Sequence, residues 1–155
     1  MNIDKSIELL NTLIEINNDR IEVYVNASKA TEKYGLKKIF SEFQQTSQKC
    51  KLELIKEIEK LGGIPIVRTK INGFINFWIT IKTLFICKDC KDVINTCESN
   101  EHKAEQQYNN ILIHKFENLS FDQQIMLRKQ YLLINSDNNK VRVLRDILVE
   151  NKYFH

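Results

Sequence analysis

Helix-breaking residues are nearly absent: the chain holds only 4 Gly and 1 Pro in 155 residues. In a helix interior, relative to Ala, Gly costs about 1 kcal/mol and Pro about 3 kcal/mol. A chain with so few interruptions can run in long helices, and apolar spacing says where. Ile3, Ile7, Leu10, Ile14, Ile21 and Tyr24 recur every three to four positions, with Leu9, Leu13 and Ile16 widening the stripe. This predicts a first helix from Ile3 to about Tyr34, capped by Asn2 or Asp4, with Gly35 as a left-handed residue after its end. Leu36, Ile39, Phe40, Phe43, Ser47, Cys50, Leu54, Ile58 and Leu61 form the stripe of a second helix, stopped by Gly62-Gly63 and Pro65. A single glycine between two long helices implies a tight antiparallel hairpin.

The segment from Ile64 to Lys88 differs. Its apolar residues cover most of a helix circumference, leaving a narrow stripe of Asn72, Asn76, Thr80 and Thr83 with Lys82 as the lone charge. A helix so apolar must be buried on more than one side. The expectation is an oligomer interface, most simply a dimer, drawn from Phe74, Phe77, Trp78, Ile81 and Phe85.

A further helix is expected from Asp89, as N-cap, to about Glu117. Its inward face is Ile94, Cys97, Glu101, Ala104, Tyr108, Ile111 and Leu112. Asn118 and Ser120 punctuate, and a last helix follows from Phe121 to about Glu150, with Leu127, Tyr131, Ile134, Asn138, Val141, Leu144 and Leu148 on one face. The pattern predicts a single all-α domain over residues 1–155. Its expected architecture is an antiparallel four-helix bundle of ferritin-like connectivity, with an additional apolar helix in the long connection between two helical hairpins. The pattern leaves open whether that connection runs the full bundle length or packs across one end.

Charge narrows the function. A net +3 is too weak and too dispersed for a nucleic-acid surface. Lys140, Arg142 and Arg145 read as cations favourable near a helix C-terminus. The start of the chain (Asp4, Lys5, Glu8) lacks the pattern of a signal peptide, and no apolar run reaches membrane-spanning length. The expectation is a cytoplasmic protein with no membrane partner, whose Cys50, Cys87, Cys90 and Cys97 are reduced thiols.

Four polar residues interrupt the inward stripes: Asn17, Ser47, Glu101 and Asn138. They are expected to form a buried polar layer, with Asn138 or a tyrosine hydroxyl as partner to Glu101, which antiparallel pairing places level with Asp137 and Asn138. The rival is a metal site drawing on Glu22, Glu101 and Glu105. Di-iron bundles need Glu-x-x-His motifs so that carboxylates and imidazoles converge from four helices. None of His102, His114 and His155 follows a Glu by three positions. Cys87-x-x-Cys90 invites a zinc or a redox reading, but it lacks the second pair that a zinc site would need, and structural thiols are the expectation. No phosphate loop, nucleophile elbow or catalytic triad pattern is present.

Several stretches resemble a known family: Leu10-Asn11-x-Leu13-Ile14-Glu15-Ile16-Asn17-Asn18-Asp19-Arg20-Ile21-Glu22-x-Tyr24, Leu61-Gly62-Gly63-x-Pro65, Cys97-Glu98-x-x-Glu101 and Val141-Arg142-x-Leu144-Arg145-Asp146. Together they resemble a small bacterial ferritin-like four-helix-bundle family known only as a domain of unknown function. The resemblance implies the bundle and no established activity. It also implies His at position 138 in many members; Asn138 stands there in this chain, which counts against a metal. The expectation is thus a non-enzymatic, self-associating bundle without cofactor. The alternative is an iron or manganese storage or oxidoreductase protein using core carboxylates.

Overall fold

A computed structural model describes residues 1–66 and 90–154, with side chains described up to 148. The described chain is all-α, with no strand among its residues. Four helices follow in order: α1 (Ile3–Ala30), α2 (Tyr34–Lys60), α3 (Lys91–His114) and α4 (Phe121–Phe154), with a single 3₁₀ turn (Phe116–Asn118) before α4. The apolar segment expected to carry Phe74, Phe77, Trp78, Ile81 and Phe85 lies outside the described residues, as does Asp89. Among the described residues, no helix is long and apolar enough to cross a membrane.

The ends of the helices follow local chemistry. Asn2 caps α1, its side chain accepting from the Lys5 amide at 3.2 Å. α1 stops at Ala30 rather than Tyr34, because Thr31 turns extended and its hydroxyl accepts from the Lys33 amide at 3.1 Å. Gly35 is therefore not a left-handed terminator but a residue of the first turn of α2. The left-handed position is Gly62, at φ 78°, where Gly63 N–H donates to Ile58 O and Gly62 N–H to Glu59 O. That is a Schellman ending. Gly63 is closely packed on separate grounds: an added Cβ would sit 2.8 Å from Ile7 Cδ1 and 3.0 Å from Ile58 Cγ2, so those side chains would have to shift.

Cys90, not Asp89, occupies the N-cap of α3, in a left-handed conformation (φ 58°) and without a side-chain cap bond. At the start of α4, Ser120 and Gln123 exchange bonds. The Gln123 amide donates to Ser120 Oγ at 3.1 Å, and the Ser120 amide to Gln123 Oε1 at 2.9 Å. This reciprocal pair, a capping box, satisfies two amides that would otherwise face water at a half-buried turn.

α1 packs on α2 and α3, and α4 packs on α3 and α2. Two apolar clusters fill the interior. One gathers Leu10, Leu13, Ile14, Leu54, Ile58, Tyr108, Leu127 and Ile134 toward the start of α1. The other gathers Val23, Tyr24, Ala27, Phe40, Phe43, Ile94, Cys97 and Val141 toward its end. Cross-helix bonds fix the register: Ser6 Oγ donates to Asn118 O, and Arg145 pairs with Glu98. The chain leaving α2 is strapped to α1 by Asn11, which donates to Ile64 O at 3.3 Å and accepts from Ile66 N–H at 2.8 Å. Where the described chain resumes, Cys90 Sγ lies 3.5 Å from Thr31 Oγ1, at the opposite end of α1.

Candidate functional site

Between the two apolar clusters lies a layer of buried charge. At its centre is Arg20, fully buried on α1. Its Nε and Nη2 donate to Glu101 Oε1 of α3 at 3.0 and 2.8 Å, Nη2 also to Asp137 Oδ2 of α4 at 2.9 Å, and Nη1 to Ser47 Oγ of α2 at 2.8 Å. Tyr24, one turn on, donates its hydroxyl to the same Glu101 Oε1. Its ring packs against Phe40 and Phe43, with centroids 6.0 and 5.0 Å apart. The guanidinium carbon stands 5.9 Å from the Tyr24 ring centroid, a cation–π distance. The three other helices thus each supply one hydrogen-bond acceptor to a single cation carried by α1.

The electrostatics follow from this geometry. Burial works against the Arg20 charge, but Glu101, Tyr24 and Asp137 together outweigh it and raise its pKa. Burial also pushes the Glu101 and Asp137 carboxyls up, opposed in each case by Arg20. Burial raises the Tyr24 phenol with Glu101 adding to the effect, so Tyr24 is a neutral donor. Arg20 stays charged, since two carboxylates face it, whereas Glu101 is the member whose charge the low-dielectric surroundings resist. One guanidinium against two carboxylates leaves one excess negative charge if both acids are ionised.

A second polar layer lies one turn toward the start of α1. Asn17 Nδ2 donates to Leu13 O at 2.9 Å and to Tyr108 Oη at 2.8 Å. Tyr108 donates to Gln130 Oε1 at 2.8 Å, and Gln130 Nε2 to Cys50 O at 3.2 Å. This relay carries no formal charge, and burial pushes the Tyr108 phenol up so that it remains a donor.

All four residues expected in the polar layer are buried, but they do not form one group. Glu101 and Ser47 join through Arg20, and Asn17 belongs to the neutral relay. Asn138 is not the partner of Glu101: among the described residues neither of its amide atoms has a hydrogen-bond partner. Its neighbour Asp137 turns inward instead. Sequence reasoning missed Arg20 as a core residue, although the second stripe, Leu9, Leu13 and Ile16, continues through Arg20 to Val23 and Ala27, all of them buried and all apolar except this cation.

Of the metal candidates, Glu101 is held by Arg20 and Tyr24, while Glu22 and Glu105 are half-buried. Among the described residues, no three His, Cys, Asp or Glu side chains converge as a metal group. Cys50 and Cys97 are free, buried thiols; burial pushes Cys50 up to about 12 and Cys97 higher still, so neither is a nucleophile near neutrality. Cys90 is disulfide-bonded, correcting the expectation of a reduced thiol. The Cys87-x-x-Cys90 spacing offers a redox reading beside the structural one, and the sequence alone favours the structural thiol. Cys87 lies outside the described residues.

Comparison with curated proteins finds no match. A family model does match, over residues 5–114, which spans α1, α2 and α3 and with them Arg20, Tyr24, Ser47 and Glu101. The chain belongs to the family described as domain of unknown function (DUF2383).

Proposed function

We propose that this chain is a non-enzymatic, self-associating antiparallel four-helix bundle of ferritin-like connectivity, in which an internal arginine stands where related architectures place metal. The carrying observation is Arg20. Carboxylate-bridged metal bundles converge acids from several helices on cations at the core. Here the acids that converge, Glu101 and Asp137, are both already bound to a guanidinium supplied by the chain itself. A divalent ion at the same place would meet a fixed positive charge with no route to solvent, since Arg20 is wholly buried.

The contact register supports the connectivity. On α1 and α2, Asn11 meets the chain after α2, Arg20 meets Ser47 and Tyr24 meets Phe40, so numbers rise on one helix as they fall on the other. The same holds for α3 and α4, from Tyr108 with Gln130 to Glu98 with Arg145. The described chain breaks off beside Asn11 and resumes beside Thr31, some 20 residues of α1 apart, or about 30 Å at roughly 1.5 Å per residue. That separation of the two described ends supports the ferritin-like reading.

The test is elemental analysis of the chain purified without chelator, with manganese and ferrous iron added afterward and excess removed. The expected result is substoichiometric metal for the native chain. About one or two iron or manganese ions per chain would overturn the reading. One observation favours a metal-storage or oxidoreductase alternative: Glu101 Oε2 and Glu105 Oε1 are buried and have no partner among the described residues. The same measurement on Glu105→Gln, expected to match the native chain, decides between them.

A further inference from the structure

We draw no further inference here: the strongest candidate, the pair of buried oxygens on α3, Oε2 of Glu101 and Oε1 of Glu105, which have no partner among the described residues, belongs to the site already described and to the metal test already set for it.

Discussion

The two polar layers sit one helical turn apart on α1, at Asn17 and Arg20, yet they solve the same problem differently. In the neutral relay each donor finds one acceptor in turn, from Asn17 through Tyr108 and Gln130 to a backbone carbonyl, and no charge is buried. In the charged layer one cation collects acceptors from three other helices, and three donor groups crowd onto a single oxygen of Glu101 while Oε2 has no partner among the described residues. The relay links α1, α3, α4 and α2 as a chain; the charged layer links them as a hub. A chain loses one link at a time. A hub, once its centre is removed, leaves every spoke unsatisfied.

That contrast sets an order of expected effects. Arg20→Met should be the most damaging, because it strands the buried carboxylates Glu101 and Asp137; breaking a buried pair from one side costs about 3–5 kcal/mol. Urea unfolding measures it, and a loss no larger than that of Tyr108→Phe would show that the hub has no special weight. Tyr108→Phe removes one relay donor and leaves the Gln130 carbonyl oxygen and the Asn17 amide short of a partner, with an expected loss of about 1–3 kcal/mol.

Glu101→Gln should cost less, about 1–2 kcal/mol, because an amide oxygen still accepts from Arg20 and Tyr24 while Asp137 continues to neutralise the guanidinium. The same variant tests the pH behaviour. The folded pKa values of Glu101 and Asp137 are raised by burial, so between the unfolded and folded values the native state binds more protons than the unfolded one. Their contribution is fully present below the ordinary carboxylate range and is lost as pH rises through the raised values. Melting temperature should therefore rise on acidifying from about pH 7 toward about pH 5, and Glu101→Gln should flatten that slope. A native melting temperature that falls over this range would contradict the sign.

The smallest effect is expected at Asn138, buried at 1% exposure with both amide atoms unpartnered. Asn138→Leu belongs to neither layer and should change stability by under about 1 kcal/mol, in the direction of gain, because removing an unsatisfied polar group recovers its desolvation cost. A loss comparable to that of Tyr108→Phe would place Asn138 in a network through groups not seen here as its partners.

Period and composition were enough to reveal four helices, and the interruptions at Asn17, Ser47 and Glu101 marked where polar groups enter the core. They also brought Glu101 level with residues 137 and 138, both of them buried, but a 3.6-residue period carries an uncertainty of one position, and the group that joins the charged layer is Asp137. Arg20 stayed hidden because a long cation on a helix is ordinarily solvated; only its place on the same stripe as Leu13 and Val23 distinguishes it. Helix ends were legible where one residue determines them, as at Asn2 and Gly62, and not where a hydroxyl acts two residues on, as at Thr31.

The bonds of Arg20 to Ser47, Glu101 and Asp137 span 27, 81 and 117 residues of chain. Synthesis reaches them in that order. When α1 and α2 have emerged, Arg20 has a hydroxyl and no counter-charge; when α3 follows, it gains one carboxylate; only α4, the last of the four described helices, brings Asp137 together with Gln130, the terminal link of the relay. A nascent chain ending near His114 has therefore every reason to keep its centre hydrated, with the guanidinium reaching toward water. The hub and the relay are complete only once this 34-residue helix has docked, so that closure of the core waits on a contact 117 residues along the chain from Arg20.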